Sequence, residues 1–584
     1  MMPTIRIPLV GSFNQRALDG SVALGLSEDQ RFKNVVFSVV TNPVTGKSTV
    51  YCEKRPGWVT DSLVENGSAS TQLCKPQSFN GVLSAFGETN STIYFGTTSV
   101  GVITGRALHM TETLISQVGC VAIKSSDGTG WYYMAGAKDQ LSYTGDTHTN
   151  TTIDNIASTA GMYVGQKISG TNIVAGTRIA TVSSTSITVD TATTGTTAGV
   201  TITKEPIAKI IDADFVTTTT SYVGAFAPLD GYLFYPTEDG YINNSDLNSV
   251  SSYTANARRA VQQAPDPSVA VAVQKSHVVV FGTGSNEKFQ NAGFTTAPLQ
   301  VLKTQVEHIG TLDQRSVTAI EDDIYYVATP YEGDVGVYRM RGLQSVRVST
   351  PTIDKIIGTA ASGGSIYANS FRLAGQAYAG FFISMASDLV SKFLLESGDY
   401  LLLESGDKLL LEGTAGQGAS FIRYLVYNIN LNTWAEWDCN HPTFVDSVGS
   451  GTANKIICTS RVNTSGKVYR IDPVADGNIY RDDGVGYTME VRTAKLDLGT
   501  GKRKFIEEIE LLGTDIQAGN SPYLSFSDDD YQTWSTPRLF DTSGPRPRLT
   551  RIGSHKGGRA YKITDESNAP FRAEALAITY SVAS

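Results

Sequence analysis

Short apolar runs of four to eight residues, each closed by Gly, Asn or Asp, recur along most of this chain. Two units stand back to back between residues 229 and 295. In the first, Leu233, Phe234 and Tyr235 lead through Glu238-Asp239-Gly240 into Tyr241-Ile242; in the second, Val278, Val279, Val280 and Phe281 lead through Gly282 to Ser285 into Lys288-Phe289. Apolar runs of this length bounded by turn residues read as strands in a sheet buried on both faces, and each pair predicts an antiparallel hairpin. The aromatic or β-branched strands that follow a Gly or Asp turn line up as VGVITG near 103, DQLSYTG near 143, GYINNSD near 242, NEKFQNAG near 289, VGVYRMRG near 338, TWAEWD near 435 and GKVYRID near 469. Three of the six spacings are about 40 to 50 residues, the interval of four-stranded propeller blades. The pattern predicts an all-β chain, a β-propeller of about six to seven blades with inserted small β domains and a C-terminal β module.

Two intervals are about twice the repeat, and each holds a segment of different character, as insertion into a loop of a repeat scaffold would produce. Residues 146–205 are rich in Thr, Ser and Gly with few charges, and the alternation in TRIATVSSTSITVDTA fits short half-buried strands of a small outward-projecting β domain. Residues 391–418 contain LLESGDYLLLESGDKLLLEG, an eight-residue repeat whose Ser-Gly-Asp turns predict a small meander. Its Glu396, Glu404 and Glu412 with Asp399 and Asp407 suggest a carboxylate ladder, but the Gly-rich pattern of calcium-binding β-rolls is absent, and a solvated turn face is the better reading. The resulting division is an N-terminal arm and first blades over 1–145, central blades over 206–390, last blades over 419–484, and a β-sandwich-like module over 485–584 that closes the ring.

Composition agrees with a folded β protein: 41% hydrophobic and 18% charged residues, with 56 Gly, leave ample core and many turns. A net charge of −9 argues against general affinity for a nucleic-acid backbone, whose binders carry a basic face. A conduit that lets DNA slide without sticking would avoid a basic wall too. Cys52, Cys74, Cys120, Cys439 and Cys458 are odd in number and widely spaced, so they read as buried thiols of a protein folded in a reducing cytoplasm. No run of about 18 apolar residues occurs, so no membrane-spanning segment is expected.

Candidate chemistry is sparse. TGKST at 45–49 resembles the end of a phosphate-binding loop, yet the first Gly would fall at Thr41, Pro43 interrupts the turn and TVYCEKRPGW continues as strand, so Lys47 reads as a hairpin lysine. SDDDYQTW at 527–534 matches the Asp-box loop of sialidase-like propellers except that Tyr531 replaces Gly; Ser527, Asp529, Thr533 and Trp534 therefore read as a structural hairpin. His109, His148, His277, His308, His441 and His555 are isolated, and Arg339, Arg341 and Arg347 lie together rather than on separate blades as a carboxylate clamp requires. No catalytic residue, cofactor or metal is assigned, and the chain is read as a non-enzyme.

The order of segments carries more than any one of them. KRPGW at 54–58 is followed by LDGYLFY at 229–235, VVVFGTGSNEKFQNAG at 278–293, VEHIGTLDQRSV at 306–317, IYYVATPYEGDVGVYRMRGLQSVRVSTPTID at 324–354, YNINLNTWAEWD at 427–438 and SDDDYQTW. Together these resemble the packaged DNA stabilization proteins, or tail nozzle (tail hub) proteins, of short-tailed bacteriophages. The resemblance implies a structural virion protein of the tail: a homohexameric ring below the portal and adaptor that extends the DNA channel, retains packaged double-stranded DNA without reading its sequence, and permits its ejection. It also implies contact with the adaptor and with tail fibre, spike or needle proteins, after assembly in the host cytoplasm. Retention needs subunit interfaces and a lumen rather than a catalytic pocket. Lys54, Arg55 and Trp58 are candidates for anchoring the N-terminal arm on a neighbouring subunit, with a place in a blade core as the equal alternative. Lys502, Arg503 and Lys504 are candidates for an acidic adaptor surface, although exposed charge runs are more often merely solvated. The rival reading from another class is a propeller-type phage tail protein that binds or hydrolyses a glycan.

Overall fold

The computed structural model describes residues 4–10, 31–61, 73–212, 222–385 and 421–583, several of these stretches with short gaps. The octapeptide repeat at 391–418 lies outside the described residues.

Among the described residues, seven antiparallel blades of four strands follow one another along the chain, blade 5 with a fifth strand, Ile309–Thr311, paired to its second. Blade 1 runs from Leu73 to Val102, blade 2 takes Ala107–Ile115, Val118–Ser125, Gly130–Ala135 and Thr197–Asp212, and blade 3 spans Ala227 to Ala260. Blade 4 spans Ser268 to Val301, blade 5 Val317 to Arg347 and blade 6 Gly364 to Trp437. The first strand of each blade touches the first strand of the next, and that of blade 7 (Phe444–Val448) touches that of blade 1, so the blades close a ring. The two hairpins that define the sequence repeat are the middle strands of blades 3 and 4, paired as Phe234↔Asn244 and Val278↔Phe289. Their apolar runs are continuous because both faces are covered: Phe234, Val278, Val280 and Phe289 pack between blades 3 and 4, while Val279 and Phe281 pack against Ile324 and Tyr326 of blade 5.

The ring is closed differently from the expectation that residues 485–584 supply the last strand. Blade 7 consists of Phe444–Val448, Lys455–Thr459 and Val468–Ile471, and its outermost strand is Val59–Asp61, paired through Arg470↔Val59 and Val468↔Asp61. The C-terminal strands build a β-sandwich jointly with the N-terminal ones instead. One of its sheets orders Val35–Thr41, Ser48–Lys54, Arg572–Val582, Lys504–Gly513 and Arg548–His555, with Thr4–Pro8 also paired to Arg572–Val582. The other continues blade 6: Arg31–Lys33 adds in parallel to Thr433–Trp437 and pairs on its far side with Met489–Arg492, followed by Ala560–Asp565, Tyr523–Ser527 and Arg538–Leu539. A single core, including Phe37, Trp58, Trp437, Tyr469, Ile509 and Ile578, runs through the sandwich into blades 6 and 7.

Strands between Ser142 and Thr203 form a module in the connection between the third and fourth strands of blade 2, around Tyr143, Ile153, Ile168, Ile187 and Ile202. The strand Thr197–Asp212 belongs to both bodies, pairing with Ser142–Thr147 at its start and with Gly130–Ala135 at its end. Helix α1 (Pro351–Ala361), absent from the sequence expectation, links blades 5 and 6; it begins with Pro at its first position, carries Asp354 in its first turn, and buries Ile353, Ile357 and Ala360.

Close packing between blades sets one strict requirement. A Cβ at Gly310 would collide with the backbone of Thr283 and Gly284, where the approach to blade 5 crosses the turn of blade 4. Gly310→Ala is expected to lower stability by about 1–3 kcal/mol, the usual cost of overpacking, read as a fall in the denaturant midpoint at unchanged slope.

Candidate functional site

The KRPGW segment lies where the chain leaves the sandwich, at Ser48–Lys54, and enters blade 7, at Val59–Asp61. Lys54 donates from Nζ to the Asp565 carboxylate at 3.0 Å and to the Asp565 and Ser567 carbonyls, with neither side chain of the pair exposed. Burial lowers the Lys54 pKa, and the adjacent Asp565 offsets part of that effect. The Arg55 guanidinium donates bidentately to Asp482, with Nη1 at 2.8 Å from Oδ1, and through Nε to Asn34 Oδ1 at 3.0 Å. Its plane sits 3.9 Å from the Tyr487 ring centroid. Burial is the largest single influence and opposes the charged form of Arg55, but the Asp482 carboxylate together with Tyr487 and Cys439 outweighs it and the pKa is raised. Asp482 Oδ1 also accepts from the Trp58 amide at 3.0 Å, and Gly57 passes so close to the Arg481 carbonyl that a Cβ would collide with it. Lys54, Arg55, Gly57 and Trp58 thus each have a physical task at this seam.

Lys54, Arg55 and Trp58 accordingly make their contacts inside one chain. Of the basic run, Lys502 and Arg503 are exposed at the start of a sandwich strand, whereas Lys504 is buried and donates to the Gly557 carbonyl at 2.9 Å. Sequence reading did not find Asp482, Asp565 and Tyr487, hundreds of residues from the KRPGW segment, nor Asn34, 21 residues before Arg55, because nothing local marks any of them as its partners.

The SDDDYQTW turn joins two strands of the sandwich, not of a blade. Asp529 accepts from the Thr533 hydroxyl and amide and from Ser527 Oγ at 2.8 Å, and these hydrogen bonds hold its pKa down to about 2. Tyr531, at the position of the pattern's Gly, adopts a φ of +68°, and its ring lies tilted against Trp534 at 6.1 Å between centroids. Asp528 pairs with Arg559 and Asp530 with Lys495, so all three carboxylates are engaged by protein donors. Of TGKST, Ser48 and Thr49 already belong to the strand Ser48–Lys54, where a phosphate loop requires a helix, and Thr45 and Lys47 lie outside the described residues.

At the propeller axis the first strands leave a cavity of about 270 Å³, lined among others by His109, Thr111, Val271, Gln314, Thr318 and Tyr367. Gln314 reaches across it: Oε1 accepts from the Ala225 and Val271 amides at 3.0 and 2.8 Å, and Nε2 donates to the Val271 carbonyl at 3.0 Å. Arg315, held by Asp313, lies over the Tyr367 ring. The cavity is far too small for a duplex whose major groove alone is about 12 Å wide.

Among the described residues no group of three or more His, Cys, Asp or Glu could hold a metal ion. Arg341 and Arg347 are paired with Asp323 and Asp354. Cys52, Cys439 and Cys458 are buried free thiols, and burial pushes Cys439 up to about 12. The site features bind chain to chain; they do not converge on a reacting atom.

A closed ring of four-stranded blades defines the chain as a β-propeller. The family described as bacteriophage P22 Gp10, beta-propeller, a phage stabilisation family, matches residues 177–371, about a third of the chain covering blades 3 to 5, and over that stretch the chain is similar to it. No curated protein matches the chain. Solved structures similar to it include the computationally designed Ika8 protein (9% identity, 70% of this chain and 98% of that one, TM-score 0.27). The S. cerevisiae core factor is another (8% identity, 80% and 60%, TM-score 0.28), as is the Bacteroides ovatus xyloglucan PUL GH43B (8% identity, 62% and 97%, TM-score 0.20). At these scores none of the three bears on function.

Two outcomes test the buried groups. Arg55→Met or Asp482→Asn alone is expected to cost about 3–5 kcal/mol, because each strands a buried partner, whereas Arg55→Met with Asp482→Leu loses less; equilibrium unfolding of the three variants gives the comparison. His555 is buried with no hydrogen-bond partner on either ring nitrogen, and burial, with Arg559 and Lys504 nearby against the opposing Asp528, pushes its pKa from 6.5 down to about 4. The unfolded chain therefore binds the proton first, so the stability held by neutral His555 is complete above about pH 6.5 and is lost as pH falls through 4. His555→Leu is expected to flatten that part of the stability-against-pH curve.

Proposed function

We propose that the chain is a tail nozzle (hub) subunit of a bacteriophage virion. About six copies form a ring below the portal and adaptor that extends the DNA channel, retains the packaged genome and lets it leave on ejection. The observation that carries this reading is the match of blades 3 to 5 to a phage DNA-stabilisation propeller family. The small axial cavity, with Gln314 on its wall tied to blades 3 and 4, supports a lumen enclosed between copies rather than one running through the propeller. A scaffold of this kind needs rigid joints more than reactive groups, and the buried ion pairs at the seam fit that need. Lys502 and Arg503 are the exposed part of the basic run that would face an acidic adaptor, and the module over residues 142–204 is the natural platform for fibre, spike or needle proteins. The subunit would fold in the host cytoplasm and work in the virion.

The test is reconstitution. Purified chain mixed with portal and adaptor is expected to yield rings with an axial channel in negative stain, and particles made without it should lose their DNA. Monomers that ignore the adaptor yet degrade surface polysaccharide would sink the proposal.

A further inference from the structure

Two exposed features on separate bodies of the fold are chemically complementary. The first is the tip between the second and third strands of blade 5, Tyr331-Glu332-Gly333-Asp334. Tyr331 is 79% exposed, although its amide is fixed to the His308 carbonyl at 3.1 Å, and Gly333 takes a φ of +120° that shapes the tip. Glu332 and Asp334 are exposed and form no ion pair among the described residues. A rigidly based tyrosine flanked by two free carboxylates is the composition of an interface anchor, an aromatic ring with charge at its rim.

The second feature is the outer edge of the sandwich. The strand Arg548–His555 pairs along its length with Lys504–Gly513, while on its other side Asp541 bridges to Arg548 and the Arg538 guanidinium donates to the Thr550 and Arg551 carbonyls at 2.9 Å. Along and beside it Arg503, Arg551 and Lys556 are exposed and have no carboxylate partner among the described residues. Arg551 sits with a φ of +58° in the bulge where the register shifts between Ile506 and Glu508. Charges on an outer edge also keep foreign strands from adding, a role that needs no partner. Guanidinium groups, however, bind carboxylates in planar pairs and stack on aromatic rings, which are the two groups that the blade 5 tip presents. A chain of net charge −9 repels a long polyanion as a whole, so a compact acidic-aromatic tip suits this edge better than a nucleic acid does.

We propose that the occupant of the basic edge is the blade 5 tip of a second copy of this chain. Because tip and edge are different patches, the contact is heterologous, and repeated head to tail it builds a ring. This inference rests on the ring-forming role proposed above and names the surfaces that would make the ring.

The experiment uses the full chain, alone and with portal and adaptor, with ring content followed by mass photometry. Glu332→Lys with Asp334→Lys, and separately Arg551→Glu with Lys556→Glu, should each raise the concentration needed for ring formation at least tenfold, the order expected when like charges are set against each other. Tyr331→Ala should do the same, and added salt should weaken the wild-type ring. The variant carrying all four reversals should recover assembly, which neither misfolding nor a merely protective edge would produce. Wild-type rings that all these variants match would overturn the interface and leave the ring proposal intact. Loss of adaptor or DNA binding by the edge variant, with ring formation unchanged, would also overturn it. A wild-type chain that never forms rings would overturn both.

Discussion

The bidentate contact between Arg55 and Asp482 is the constraint on which the architecture turns. A propeller closes only when its last blade is complete, and here the completing strand, Val59–Asp61, arrives from the N-terminal side directly after this arginine. The strand before it, Ser48–Lys54, belongs to the sandwich, whose other strands come from the opposite end of the chain. Ring closure and sandwich assembly therefore share a five-residue segment. Burial of two ion pairs there is costly unless both partners arrive in register, so the seam selects one relative arrangement of the two bodies over its near alternatives. That is a reason for a scaffold to keep polar groups where apolar ones would be at least as stable.

The same economy appears in the added module. It sits in a connection between blade strands and shares the strand Thr197–Asp212 with blade 2, so it has a core of its own and no separate hinge strand. Its carboxylates are spent on its own turns: Asp146 accepts from the Gly199 amide at 2.7 Å, Asp190 from the Arg178 amide at 2.8 Å, and Asp154 faces His148. What remains outside is mostly hydroxyl and backbone. The propeller itself is held by packing between continuous apolar strands, with side chains such as Gln314 tying neighbouring blades together.

Much of the fold was legible because its signals are local. Strand length, turn residues and a repeat of about 40 to 50 residues lie within the reach of a few residues each, and the hairpins around Phe234 and Val280 form where the pattern puts them. Helix α1 was not legible, since an eleven-residue segment beginning at a proline carries a weak periodic signal beside so many strands. The KRPGW string stood out in the sequence, but its meaning did not. Exposure and burial look alike for Lys54 and Lys502 when only neighbours along the chain are known.

The sequence by itself determined the all-β class, the blade repeat and the family resemblance, because periodicity and turn chemistry act between residues close in sequence. Only the tertiary structure decided that the ring closes on Val59–Asp61, that both chain ends build one sandwich, and that Arg55 meets Asp482 across 427 residues and Lys54 meets Asp565 across 511. Such pairings depend on which surfaces remain unpaired once local structure has formed. No local pattern encodes that choice; it is settled when the last blade and the sandwich compete for, and share, the same N-terminal strands.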